Sequence, residues 1–102
     1  DSVTLTGKER IAAYAIKHRL PSVSGWDVFA EAGLLLMYGP NLNACWSRLA
    51  YHVDRILKGA KPAELPVEMP TTVEVIVNLK TAKALGIAVP QSFLLRADRV
   101  IE

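Results

Sequence analysis

The chain has 102 residues, 51% of them hydrophobic and 22% charged, a globular balance well away from that of disordered chains. Its 12 basic and 10 acidic residues are interspersed and leave a net charge of +2, which argues against the clustered basic face of a nucleic-acid binder. No apolar run approaches the roughly 20 residues that a membrane-spanning helix needs, and the lone cysteine, Cys45, excludes an internal disulfide or a site built from several thiolates.

Taken in chain order, Thr6 and Gly7 precede "KERIAAYAIKHRL", in which Ile11, Ala12, Ala15 and Ile16 share one helical face. A helix is expected from about Gly7 to Arg19, N-capped by Thr6, with Lys17, His18 and Arg19 at the negative end of its dipole. Pro21 stops it, and Pro21 to Ser24 reads as short extended chain. Gly25 breaks that, "WDVFAEAG" gives one or two helical turns, and Gly33 closes them. The run "LLLMY" has the continuous apolar character of a strand covered on both faces. From Leu42 to Lys58, apolar residues recur at three- and four-residue steps: Leu42, Cys45, Trp46, Leu49, Val53, Ile56 and Leu57. This predicts a long amphipathic helix ended by Gly59.

"AKPAELPVEMPTT" holds three prolines and reads as a loop, with an edge strand conceivable at "PVEM". "VEVIVNL" is β-branched and predicts a strand. Asn78 would cap a short helix that Gly86 ends, and Pro90 would start a last helix, "PQSFLLRADRVI". Alternation of this kind predicts an α/β fold with a mostly parallel sheet and flanking helices.

Chemistry has few footholds. Cys45 and His52 lie seven positions apart on one helix, about 10 Å, too far for a thiolate–imidazole pair. Cys45 reads as a small core residue and His52 as a helix-surface histidine. Glu64 with Glu68, and Asp98 with Glu102, read as solvated charge. No phosphate-binding glycine loop is present. In open α/β sheets ligands bind beyond the carboxyl ends of strands. Two places fit: Ser24-Gly25-Trp26, and Tyr38-Gly39-Pro40-Asn41. Asn41 would cap the long helix and leave backbone N–H groups for an anion. Trp26 and Tyr38 would offer flat apolar faces with a polar edge. The competing account is a helix cap and two half-buried aromatics, and composition alone favours it.

The stretches "RLPSV", "FAEAGLLLMYGPNL", "VDRILKGAKPAELPVE" and "VNLKTAKALGIAVPQSFLLRADRVIE" together resemble the C-terminal third of solute-binding proteins of ATP-binding-cassette importers, the family with tryptophan- and tyrosine-type members. The likeness covers nearly the whole chain from Lys8. The sequence departs from the family pattern at three positions. Leu34 stands for a glycine, Met37 for a serine before Tyr38, and Ala44 for an acidic residue, so no hydrogen bond from position 37 is carried over.

The resemblance implies a three-layer, Rossmann-like half of a type I periplasmic binding protein, with residues 1–35 in one lobe, 36–70 crossing to the other and 71–102 returning. It implies a small solute, an amino acid or aromatic acid, held between lobes and delivered to a membrane permease, with no enzymatic activity and no cofactor. The location would be periplasmic, or extracellular and membrane-anchored. Ser24, Trp26, Tyr38 and Asn41 are the expected ligand contacts, and no nucleic-acid partner is expected. A ligand-sensing regulatory domain of the same fold and a small α/β enzyme domain stay open as alternatives. Since the chain opens on Asp1 rather than methionine, it reads as processed or excised from something longer. A detached segment with so apolar a strand would expose edges and faces, and self-association as a homodimer, by exchange of elements, is expected.

Overall fold

The computed structural model describes all residues 1–102. In chain order the elements are α1 (Ser2–Thr6), α2 (Lys8–Lys17), β1 (Val23–Ser24), α3 (Asp27–Ala32), β2 (Leu36–Pro40), α4 (Leu42–Leu57), a 3-10 turn (Pro62–Glu64), β3 (Val73–Asn78), α5 (Leu79–Leu85), α6 (Gln91–Leu94) and β4 (Arg99–Ile101). They divide into two compact units. The first comprises Asp1–Gly39 and Glu74–Glu102, the second Pro40–Val73.

The first unit is the α/β body. Its sheet has the order β1-β2-β3-β4. β1 runs parallel to β2, pairing Val23 with Leu36 and Ser24 with Met37. β3 runs parallel to β4, pairing Ile76 with Arg99, Val77 with Val100 and Asn78 with Ile101. The Asn78 N–H donates to the Leu35 carbonyl at 2.9 Å. The end of β3 therefore lies beside the start of β2, and these two strands run antiparallel. The sheet is mixed, two parallel pairs back to back.

Two apolar clusters hold the unit together. Ala12 and Ala15 of α2 meet Phe29 of α3 and Leu34, with Val28 and Ala32 at their margin. Ala30 of α3 meets Met37 of β2 and Ile76 of β3, with Ile101 of β4 beside them. Consecutive residues of one short helix thus serve both clusters. Ala12 and Ala15 pack α2 against α3, and Ala30, wholly buried, packs α3 on the sheet. Burial of each large apolar side chain contributes about 1.5–3 kcal/mol.

Several boundaries differ from expectation. Thr6 is no cap: it ends α1, its hydroxyl donating to the Ser2 carbonyl, and Gly7 precedes α2 without a side-chain cap. In the run "LLLMY", Leu34 is drawn into the helix-facing cluster, and the strand begins only at Leu36. "PVEM" forms no strand. The last helix stops at Leu94, and Arg99–Ile101 is a strand. The physical reason is a reciprocal bond pair. The Asp98 N–H donates to the Val75 carbonyl at 2.8 Å, and its carboxylate accepts from the Val75 N–H at 2.7 Å. These bonds seat the β-branched tail on the open edge of β3, which Val and Ile suit better than a helix.

The second unit is α4 and the segment that follows it. α4 starts and stops as the periodicity predicts, with the Asn41 side chain accepting from the Ala44 N–H at 2.8 Å. Yet none of its 16 residues is buried. Trp46 is 62% exposed and Leu57 82%. Cys45, expected in the core, is only half-buried, because unit 2 alone contains nothing to cover the apolar stripe.

The two units should therefore respond differently to truncation. Met37→Ala should cost about 2–5 kcal/mol, the range for large-to-small changes in a closed core. Arg55→Ala on α4, exposed and off the apolar stripe, should stay near the few tenths of a kcal/mol of a surface change. Denaturant unfolding of the two variants checks the contrast.

Candidate functional site

Three of the four expected contacts meet at one edge of unit 1. β1 and β2 are parallel, so their carboxyl ends reach the same edge of the sheet. Ser24 ends β1 and folds the chain onto itself. Its hydroxyl donates to the Trp26 carbonyl at 2.8 Å and accepts from the Trp26 N–H at 3.3 Å. This serine turn places Trp26 immediately before α3. On β2, Tyr38 is 63% exposed and Trp26 is 43% exposed. Both aromatics are therefore accessible rather than buried as packing.

A backbone contact brings the two segments together. A Cβ added at Gly39 would lie 3.0 Å from the Gly25 Cα and closer still to the Gly25 carbonyl. No real side chain tolerates that approach, so Gly39 is the residue type that lets β2 pass against the Ser24–Trp26 turn.

The fourth residue, Asn41, lies in unit 2. It caps α4 and lines a groove of about 660 Å³ with Ala44, Cys45, Arg48, His52 and Glu68 among its walls. The size lies within the usual range of ligand pockets. Its other wall is the return segment Met69, Pro70, Thr71 and Thr72, and the Asn41 N–H donates to the Thr72 carbonyl at 3.1 Å.

Charge in this groove is organised around Glu68, which is exposed, as the sequence reading expected, and is paired as well. Arg48 Nε and Nη2 each donate to one Glu68 oxygen, a bidentate pair that ties α4 to the return segment. The Arg48 guanidinium also stands 4.0 Å from the Tyr51 ring centroid, a cation–π contact. His52 Nε2 lies 3.6 Å from Glu68 Oε2, while its Nδ1 is buried without a hydrogen-bond partner. His52 is thus half-buried in the groove wall and not a plain surface histidine. The hydrogen bonds from Arg48 dominate in lowering the Glu68 carboxyl from its usual value to about 2, against a smaller opposing effect of burial.

Glu68 and Arg48 escaped sequence reading because they are 20 positions apart and joined only by the path of a proline-rich loop. No spacing rule links them. The groove offers an ion pair, an imidazole and apolar side chains in its walls. No Cys45–His52 hydrogen bond forms, and no group of three or more His, Cys, Asp or Glu side chains converges as a metal site.

Because the folded-state carboxyl titrates below its usual value of 4.5, the Arg48–Glu68 pair adds stability above that pH and loses it as pH falls toward 2. Glu68→Gln should flatten the fall in stability across that window. Denaturant midpoints at a series of acid pH values measure it, and the effect will be modest because the pair is partly solvated.

The model of the family described as ABC transporter substrate binding protein matches residues 1–101. No curated protein matches the sequence. A solved ABC domain from Streptococcus pneumonia, in complex with L-Trp, is 28% identical with a TM-score of 0.91, covering 99% of this chain and 34% of its own. A conserved domain protein from Vibrio cholerae O1 biovar El Tor strain N16961 shares the fold at 24% identity and a TM-score of 0.90, covering 98% of this chain and 34% of its own. CD0873 of Clostridium difficile, a substrate binding protein with adhesive properties in its ligand-free, open structure, shares it at 22% identity and 0.68, covering 99% and 34%. The chain thus spans about a third of the length of the solved structures it matches. A family match that stops one residue short of the whole sequence leads to one conclusion: this chain belongs to the ABC transporter substrate binding protein family.

Proposed function

We propose that the chain is part of a solute-binding protein of an ABC importer, which takes a small molecule and passes it to a membrane permease without transforming it. The observation that carries this reading is the Streptococcus pneumonia ABC domain with L-Trp bound, 28% identical to this chain over nearly all its length. Its ligand supports an amino acid or an aromatic acid as the solute class here. The working location is the periplasm, or the cell exterior with a membrane anchor, where such an importer would capture its solute. Under this reading the chain contributes to both lobes of a longer protein, the division falling at Gly39/Pro40 and Val73/Glu74.

Trp26 and Tyr38 are the proposed apolar contacts, and Asn41 and Ser24 the polar ones. Exposure of both aromatics at one sheet edge supports the first pair. Aromatic faces can take an indole or phenyl ring with about 0.5–1.5 kcal/mol beyond simple area burial. Position 37 contributes no contact of its own, since Met37 is 1% exposed and belongs to the core.

In the longer protein that carries this chain, L-tryptophan, other amino acids and aromatic acids should be compared by thermal shift. One class should raise the melting point, since a ligand at 100 times its Kd stabilises by about 2.7 kcal/mol. Tyr38→Ala should weaken that ligand about tenfold, close to 1.4 kcal/mol, while the protein stays folded. Unchanged affinity would remove Tyr38 from the site. By itself, the 102-residue chain is expected to bind little and to pair as a homodimer, given the uncovered stripe of α4. Light scattering in dilute solution should return twice the single-chain mass, and a single-chain mass would refute the pairing.

A further inference from the structure

The two aromatics of the proposed contact edge stand on different elements. Trp26 immediately precedes α3, and Tyr38 lies on β2. Their relative position depends on how far α3 sits along β2. At the near end the elements touch through Gly25 and Gly39. The far end is held by a residue in neither element.

That residue is Asn78, at the carboxyl end of β3 and only 3% exposed. Its side-chain Nδ2 donates to the Ala30 carbonyl of α3 at 2.8 Å. Its backbone N–H donates to the Leu35 carbonyl, one residue before β2, at 2.9 Å. Its Oδ1 accepts from the Thr81 N–H at 3.1 Å, which caps α5 and fixes the amide's orientation. Thr81, also 3% exposed, adds a second grip, its hydroxyl donating to the Gly33 carbonyl just past α3 at 2.8 Å. One side chain therefore spans α3 and α5 while its own backbone holds β2.

A helix of six residues is a rod about 9 Å long. Gripping its last turn by Ala30 and Gly33 fixes its axial position, and so fixes where its first residue sits. Apolar packing of Ala30 on Met37 and Ile76 does not do this equally well, because contact between apolar surfaces has little directional preference. Hydrogen bonds between buried groups do have it, and a buried donor left unmade is costly.

We propose that Asn78, supported by Thr81, is the positioning residue of the Trp26–Tyr38 edge: it sets the register of the helix behind Trp26 against the strand that carries Tyr38. The value of that register to binding rests on the solute-binding reading above. The register itself does not, so the test is run without ligand.

The 102-residue chain is labelled with 5-fluorotryptophan and followed by 19F NMR. It has two tryptophans, Trp26 in unit 1 and Trp46 on α4, and the second serves as an internal control. Asn78→Ser keeps a side-chain cap for α5 and the backbone bond to Leu35 but cannot span to Ala30. Thr81→Val removes only the hydroxyl grip on Gly33, at nearly constant shape. In each variant the Trp26 resonance should shift or broaden, and acrylamide quenching of Trp26, read in a Trp46→Phe background, should rise about twofold. The Trp46 resonance should stay in place. A Trp26 resonance and quenching unchanged in the folded Asn78→Ser chain would overturn the proposal. If Asn78→Ser does not fold, Thr81→Val decides alone, and an unmoved Trp26 there overturns it equally. Failure of the longer protein to bind any amino acid or aromatic acid would instead defeat the solute-binding reading and leave this register result standing.

Discussion

The structure of the larger unit depends on α3 being held from two sides at once. Phe29 turns toward α2 and Ala30 toward the sheet, so six residues connect a helical layer to a β-layer. Such an element tolerates little variation in size. Ala30 has no exposed surface and packs against Met37 and Ile76, so a larger side chain there would overpack the cluster. The polar bonds of Asn78 and Thr81 are placed on this same element, at the end where apolar contact alone would leave it free to slide.

The consequences reach the candidate site through geometry. β1, α3 and β2 form one parallel strand–helix–strand unit, whose turn at Ser24–Trp26 and strand end at Tyr38–Gly39 share an edge. The contact between Gly25 and Gly39 closes that edge, and Asn78 holds the opposite end. Trp26 and Tyr38 stay exposed beside this edge while the elements behind them are tied at both ends.

The second unit follows a different logic. α4 has the clearest amphipathic pattern in the chain and none of its residues is buried. Its shape is maintained locally, by the Asn41 cap, the helix-surface pair of Asp54 with Lys58, and the Arg48–Glu68 clamp. A helix of this length is marginal in water without packing, so the local bonds carry more of the burden here than in the body.

Local pattern determined most of the elements of this protein. Periodicity placed α4 to within a residue, β-branching placed β3, and the asparagines at 41 and 78 marked the starts of their helices, since these signals act within one or two turns of chain. The motif resemblance reached the family as well, because whole stretches of sequence carry it. Tertiary structure alone decided the rest. It turned the tail from helix to strand through Asp98 and Val75, split the apolar run at Leu34, and made the central strand pair antiparallel. It also brought Gly25 to Gly39, Arg48 to Glu68 and Asn78 to Ala30. Each of these joins residues 14 to 48 positions apart, and chain statistics near either partner contain no record of the other. Their meeting is set by how the elements pack, where a buried donor must find whichever carbonyl the fold presents.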